Sequence, residues 1–308
     1  MEIATQNANL TNDFGNERGF EMLAEAGFTA VDWCLDQIWD RNKIKNGIIP
    51  ESTVFNGSID KAIEYYGPQL KIMKAAGLHP TQAHAPFPAY CKGHPEFTDF
   101  CIEIYKNVLK LCRYADCPRL VIHGNSRRHG DYELSDEQFF ELNMHMYSSL
   151  IPTIKETGVT VLLENLFTSF GGVHFIAGTC ADPYEAVKYI DSLNELAGQE
   201  CFGLCLDTGH LNLLRTPMRP YIDILGNRIK ALHIHDNSMV NDDHLAPYTG
   251  CIDWNDFCAG LKAIDYKGDL NFETFNQVSL KRIEEPLVMP YLKLIYACGE
   301  LFRDKITK

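Results

Sequence analysis

The sequence predicts an α/β fold, a single (β/α)8 TIM barrel that spans residues 1–308 as one catalytic domain. Eight short runs typical of β-strands alternate with eight longer segments whose apolar residues recur at helical spacing. The length suits one barrel of about 250 residues with insertions. A doubly wound sheet is the alternative, but the first predicted strand lacks the Gly-x-Gly-x-x-Gly turn that is typical of that fold.

The predicted strands are short runs of apolar and β-branched residues, and amphipathic helices follow them. Gly77 and Gly158 precede the third and fifth strands, and glycine commonly ends a helix. Three connections that follow strands are long, at 35–57, 165–181 and 236–252, and barrel enzymes hold their chemistry on that face. The predicted strands are 3–8, 30–34, 81–84, 120–123, 159–164, 203–207, 229–233 and 270–273. The predicted helices are 16–26, 58–76, 97–115, 135–157, 182–196, 218–226, 254–264 and 281–302.

Composition and charge narrow the class of protein. The 28 Lys and Arg residues against 41 Asp and Glu give a net charge of −13, which argues against a nucleic-acid partner because phosphate neutralisation dominates such binding. No apolar run reaches the roughly 18 residues of a membrane span, and the first six residues lack the pattern of a secretory signal. The 11 cysteines include no Cys-x-x-Cys pair, so we expect reduced thiols in a cytoplasmic protein without a membrane partner.

Histidine or carboxylate side chains stand at the ends of six predicted strands. Each follows apolar residues, and a buried unpaired charge is costly, so these carboxylates need cations or hydrogen-bond donors. Because the carboxyl ends of barrel strands share one face, we expect the side chains to converge there. The residues are His84, His123, Glu164, Asp207, His233 with His235, and Glu273.

Strand alternation supports this convergence. Side chains two positions apart share a face, so His233 and His235 lie together, opposite Leu232 and Ile234. Two glutamates, one aspartate and one histidine form a mostly oxygen donor set, which suits Mn, Co or Mg better than a structural zinc. We therefore expect one bound divalent metal ion, with zinc as the alternative.

Several segments resemble the xylose-isomerase-like barrel superfamily of sugar-phosphate isomerases and epimerases, and the resemblance covers essentially the whole chain. The segments are Leu163-Glu164-Asn165, Leu206-Asp207-Thr208-Gly209-His210, His233-Ile234-His235-Asp236, the run from Asp242 to Pro247 with Ile252-Asp253-Trp254, and Phe272-Glu273-Thr274. In its ketose 3-epimerase branch the matching positions imply one divalent metal, acid–base roles for the two glutamates and a substrate contact by His210. The implied metal ligands are Glu164, Asp207, His233 and Glu273.

The resemblance implies a metal-dependent isomerase or epimerase of a small keto sugar or sugar phosphate. Such an enzyme removes a proton next to a carbonyl, and the metal stabilises the enediolate that forms. Glu164 and Glu273 would remove the proton from one face of the sugar and return it to the other. A metal-dependent dehydratase or lyase of a related polyol ketone starts with the same step and is an alternative.

Three arginines that follow predicted strands are candidates for a contact with a substrate phosphate. They are Arg127, Arg128 and Arg215.

Endonuclease IV, an abasic-site nuclease with three zinc ions, belongs to the same superfamily, and all of its ligand types are present here. Against this alternative, Asp243 and Leu245 stand where that family has a basic residue and a histidine. A third interpretation is a barrel that is catalytically inactive without a partner chain. The presence of every residue of the implied metal site argues against it. We expect self-association, as in many relatives.

Further residues would line the site, either as substrate contacts or as ligands of more ions. They are His84, His123, His210, Asp242 and His244.

Overall fold

All eight predicted strands are present, with bounds within two residues of the predicted ones. A computed structural model describes residues 1–35, 40–125, 134–170 and 174–308. Two additional strands lie in the connection predicted as a loop at 165–181. The strands are β1 (Ile3–Gln6), β2 (Ala30–Cys34), β3 (His79–His84), β4 (Arg119–Val121), β5 (Thr160–Glu164), β6 (Phe167–Phe170), β7 (His174–Ala177), β8 (Phe202–Asp207), β9 (Ile229–His233) and β10 (Leu270–Phe272).

Five helices follow the prediction to within two residues. The first helix begins at Ala8 rather than at residue 16, the last spans Glu285–Thr307 rather than 281–302, and two short helices, Arg41–Lys45 and Thr208–Leu213, are additional. The predicted helix 135–157 is two helices, and Pro152 lies in the first turn of the second. Proline is tolerated there because the first-turn N–H groups have no intrahelical partner, whereas inside a helix it removes a hydrogen bond. The helices are α1 (Ala8–Ala26), α2 (Arg41–Lys45), α3 (Ile59–Ala75), α4 (Glu96–Ala115), α5 (Asp136–Ser148), α6 (Ile151–Thr157), α7 (Pro183–Ala197), α8 (Thr208–Leu213), α9 (Met218–Leu225), α10 (Trp254–Ala263) and α11 (Glu285–Thr307).

The strand order confirms the predicted fold class, a (β/α)8 barrel. Eight strands form one sheet in the order β10-β1-β2-β3-β4-β5-β8-β9. Neighbouring strands pair in parallel, for example with Ala4 opposite Ala30 and Arg119 opposite Thr160. A further parallel bridge pairs Ile234, just after β9, with Phe272 in β10. Parallel strands joined by helices place the carboxyl ends of neighbouring strands at one edge, where the predicted site residues stand.

The first of two compact units comprises Met1–Trp33, Gln69–Thr81 and Cys205–Lys308. Within it β1 pairs with both β10 and β2, and α11 packs against α1 and α10. Trp254 and Phe302 stack with ring centroids 5.2 Å apart. This aromatic core holds α10 and α11 against the strands that carry the candidate site.

The second unit comprises Cys34–Pro68 and Gln82–Leu204. Within it β4 pairs with β3 and β5, while β6 and β7 form an antiparallel hairpin. A capping box between Ser135 and Gln138 starts α5, because each side chain bonds the other residue's backbone N–H. Across the part of the chain that the structure describes, no helix is both long and apolar enough to cross a membrane.

Candidate metal centre

Asp207 lies beside two histidine side chains of the first unit. It ends β8 and also caps α8, since its Oδ1 accepts a hydrogen bond from the His210 backbone N–H at 2.7 Å. The Nε2 of His235 lies 3.0 Å and 3.1 Å from the two Asp207 oxygens. The Nδ1 of His210 lies 3.7 Å from Oδ1. The cap at this strand end therefore places two imidazole rings beside one carboxylate.

His233 lies at the end of β9 and is fully buried. Its Nε2 is 3.2 Å from Oδ2 of Asp32, in the middle of β2. Its Nδ1 is 3.8 Å from Oε2 of Glu273 and 4.0 Å from Oδ2 of Asp207. The ring thus has a carboxylate on one side and two carboxylate oxygens on the other.

Glu273 follows β10 directly and its two oxygens have different partners. Oε1 accepts a hydrogen bond from the Gln6 amide at 2.8 Å. Oε2 lies 3.5 Å from Nδ1 of His244 and 3.8 Å from Nδ1 of His233. Gln6 therefore orients the carboxylate so that the other oxygen faces the histidines.

The connection after β9 carries Asp242 and His244, and it is closed by Asp236. Backbone hydrogen bonds of 2.8 Å and 2.9 Å join Asp236 and Leu245 in both directions. The buried Asp236 carboxylate accepts four further hydrogen bonds of 3.0–3.2 Å, so one side chain determines the course of this loop. The donors are the backbone N–H groups of Asn237, Tyr248 and Ile252 and the Trp254 indole N–H.

Asp242 and His244 form a tightly coupled pair at the end of this loop. Nε2 of His244 lies 3.0 Å from Oδ2 of Asp242, and its ring stacks on His235 with centroids 4.1 Å apart. Burial alone would lower the pKa of His244, but Asp242 and Glu273 raise it to about 9. Burial opposes ionisation of Asp242, yet the His244 and His210 rings hold its pKa well below its usual range. A bound cation would displace the His244 proton, because a ligating nitrogen must be unprotonated.

These side chains form two overlapping groups of donor atoms, in each of which the atoms lie within 4.8 Å of one another. His235 belongs to both groups, and its Nδ1 is buried without a hydrogen-bond partner in the described part of the chain. Imidazole and carboxylate donors suit a divalent cation, whose charge would balance the buried carboxylates. The first unit therefore fits such an ion. The groups are Asp207, His210 and His235, and His235, His244 and Glu273.

The second unit has a donor group of its own, formed by His84, His123 and Glu164. Nε2 of His123 lies 3.0 Å from Nε2 of His84 and 2.9 Å from Oε2 of Glu164. Nδ1 of His84 faces the Ala85 carbonyl oxygen at 2.9 Å. A neutral ring at this position donates from Nδ1 and keeps the lone pair of Nε2 for a ligand. Three donor atoms that face each other at these distances also fit a cation.

Two buried tyrosines hold the chain where β3 and β4 end. The Tyr105 hydroxyl donates to the Pro86 carbonyl at 2.8 Å, and the Tyr147 hydroxyl donates to the Ile122 carbonyl at 2.8 Å. Burial raises the pKa of both phenols well above the usual value, so both remain donors. These bonds lie within two residues of His84 and His123, whose rings they help to position.

The structure thus gathers the predicted site residues within each unit. The first unit brings together Asp207, His210, His233, Asp242, His244 and Glu273, and the second brings together His84, His123 and Glu164. Arg215 is exposed. Arg127 and Arg128 lie outside the described residues.

Three residues of the candidate site go beyond the sequence prediction. The sequence prediction puts His235 on the face of His233 but not among the metal ligands, although the His-x-His spacing itself is the signal. Asp32 and Gln6 contact His233 and Glu273, and each is a single polar residue in an apolar strand. Their roles depend on which strands are neighbours, which only the sheet order gives.

The chain belongs to the family described as Xylose isomerase-like TIM barrel, whose model matches residues 20–289. An uncharacterised protein, y4fM, of Sinorhizobium fredii is 24% identical over 85% of this chain and 82% of its own. D-psicose 3-epimerase of Enterocloster bolteae is 24% identical over 68% of this chain and 64% of its own. The crystal structure of a D-tagatose 3-epimerase-like protein matches with a TM-score of 0.70, at 17% identity and full coverage of both chains.

Proposed function

We propose that the protein is a divalent-metal-dependent enzyme that isomerises or epimerises a small keto sugar or sugar phosphate. The observation that carries the proposal is the environment of Glu273. Gln6 holds one oxygen at 2.8 Å, and the other faces two histidines, one of which lies beside Asp207. The similarity to D-psicose 3-epimerase supports the reaction class.

The metal ligands that we propose are those that the family resemblance implies. When bound, a Mn, Co or Mg ion would supply positive charge that stabilises an enediolate. Burial of the carboxylates, with Asp207 fully buried, keeps water from competing for the ion. The proposed ligands are Glu164, Asp207, His233 and Glu273.

The two glutamates would move the proton. Glu273 would accept a proton from the carbon next to the substrate carbonyl, and the Gln6 amide, which donates to Oε1 at 2.8 Å, would hold its carboxylate in place. Glu164 would return a proton to the other face. His210 would hold a substrate hydroxyl, and the Phe275 ring, 4.2 Å from the His244 ring, offers an apolar face to sugar C–H groups.

The first expected result concerns metal content. Protein purified without chelator or added metal should contain about one Mn, Co or Mg ion per chain by elemental analysis. The isolated enzyme should then exchange a ketose C–H proton with solvent deuterium, read by NMR across a panel of ketoses and their phosphates. Chelation should abolish the exchange, and the same ion should restore it. Absence of any bound ion after incubation with excess Mn²⁺ would contradict the proposal.

A second candidate function is favoured by the donor group of the second unit. His84, His123 and Glu164 fit a cation of their own, which is expected for a multinuclear zinc hydrolase of the endonuclease IV type. A dehydratase or lyase of a polyol ketone remains the closer alternative, since it shares the first proton abstraction.

The His123→Gln variant distinguishes these functions. If the second unit holds its own ion, zinc-loaded wild type should contain one more ion per chain than His123→Gln, and abasic-site DNA is the substrate to assay. If the sugar enzyme has a single ion, both proteins should contain the same number. His145→Gln, an exposed histidine paired with Asp99, is the matched control.

Three broader properties stay predictions. We propose one catalytic domain over residues 1–308, a cytoplasmic location and self-association into a homo-oligomer. The expected partner is a small sugar, with no nucleic acid and no membrane.

A further inference from the structure

Asp32 is a buried acid for which the proposed chemistry has no direct use. It is the third residue of β2, between Val31 and Trp33, and is fully buried. The register of β1 with β2 places it opposite Gln6. A carboxylate in such a position is costly unless hydrogen bonds stabilise its charge.

The polar neighbours of the Asp32 carboxylate come from two strands of the same unit. The Asn271 side-chain amide donates to Oδ2 at 3.0 Å. Nε2 of His233 lies 3.2 Å from the same oxygen. Both groups approach the same carboxylate oxygen, so Asn271 limits how far Oδ2 can move away from the imidazole.

The opposite nitrogen of His233 faces the proposed ligands. Nδ1 lies 3.8 Å from Oε2 of Glu273 and 4.0 Å from Oδ2 of Asp207. Donor atoms about 2.1 Å from one ion lie about 3 to 3.5 Å from each other. The three atoms are therefore close to the spacing of a shared ion, and Asp32 is on the far side of the ring.

A neutral imidazole has a proton on one of its two ring nitrogens, and only the other nitrogen can bind a metal. With the proton on Nε2 donated to Asp32, the lone pair of Nδ1 points toward Glu273 and Asp207. With the proton on Nδ1, this nitrogen could not act as a ligand. A carboxylate behind a ligating histidine fixes both the tautomer and the ring orientation.

We propose that Asp32 is a positioning residue that holds His233 with its proton on Nε2 and its Nδ1 ready to bind the metal. This inference rests on the proposed function, because it takes His233 as a ligand. Asn271 supports Asp32 in this role through its hydrogen bond to the same oxygen.

The Asp32→Asn variant tests the proposal by metal affinity. Its Mn²⁺ affinity, measured by competition with a fluorescent chelator, should fall about 10- to 100-fold relative to wild type. Excess Mn²⁺ should restore most of the activity, because the ligands themselves are intact. Glu185→Gln is the matched control: it removes a carboxylate that bonds the Cys180 N–H in the other unit, and its Mn²⁺ affinity should equal that of wild type.

The outcomes separate the two proposals. Wild type that binds no Mn²⁺ would overturn the proposed function. Wild type and Asp32→Asn with equal Mn²⁺ affinity would leave the function standing and overturn the role of Asp32. If Asp32→Asn does not fold, Asn271→Ala takes its place, since loss of the amide frees Oδ2 to move. Its Mn²⁺ affinity should fall by less than about 10-fold, because Asn271 acts on His233 only through Asp32, and an unchanged affinity would contradict the proposal.

Discussion

Replacing Glu273 with glutamine should lower kcat for proton exchange about 10³-fold, while the protein stays folded. General-base catalysis contributes roughly 10² to 10⁴ to a rate, and an amide cannot accept the proton. Gln6 would still donate to the amide oxygen of the new side chain, as it donates to Oε1 now, so the surrounding structure should persist. The measurement is ketose C–H exchange with deuterium by NMR at saturating metal and substrate.

Measuring the bound metal distinguishes loss of the catalytic base from loss of the ion. An amide oxygen is a weaker ligand than a carboxylate, so Glu273→Gln is assayed with Mn²⁺ in excess and its bound metal is measured in the same sample. The control is Glu285→Gln, an exposed glutamate in the first turn of α11, which should retain wild-type kcat. Near-full activity in metal-loaded Glu273→Gln would contradict the two-glutamate mechanism.

Replacing Asp236 with asparagine should lower the free energy of unfolding by about 3 kcal/mol. Hydrogen bonds to a buried charge are worth roughly 1.5–3 kcal/mol each, and unsatisfied buried donors add to the cost. The Asp236 carboxylate accepts four hydrogen bonds, and in asparagine an NH₂ group would face two of those donors. The loop that carries Asp242 and His244 should therefore lose its closure, and metal affinity should fall with stability.

Urea denaturation, read by tryptophan fluorescence and circular dichroism, measures this effect. Asp243→Asn is the matched control, because Asp243 lies in the same loop and, among the described residues, its carboxylate accepts one long hydrogen bond, of 3.5 Å, from the Ser238 hydroxyl. Stability of Asp236→Asn within about 0.5 kcal/mol of wild type, the usual range of surface substitutions, would show that the four hydrogen bonds do not hold the loop. Wild type should unfold in one transition by both probes if residues 1–308 form one domain.

Much of the fold could be predicted because its signals are local. Short apolar runs define the strands, as in Val161 to Leu163 of β5, and the glycine after a helix defines its end: Gly158 has φ 70°, which glycine adopts without strain. The break between α5 and α6 was missed although Pro152 marks it. The hairpin β6–β7 was missed because a two-stranded ribbon depends on pairing between its strands.

Much of the candidate site could also be predicted, for a reason of topology. Parallel strands place their carboxyl ends at one edge, so Asp207, His233 and Glu273 could be grouped from their positions at strand ends. The roles of individual atoms could not be predicted. The two oxygens of Glu273 differ because Gln6, 267 positions away, bonds one of them.

The sequence by itself determined the fold class, the strand ends and the donor types, since periodicity, turn residues and side-chain chemistry are properties of short segments. The tertiary structure decided which nitrogen or oxygen faces which partner. Asp32 lies against His233, and Asp236 holds the loop of His244. Both arrangements join residues from different strands and loops. The geometry of a buried hydrogen bond depends on how these segments pack against each other, which the sequence of any one segment does not determine.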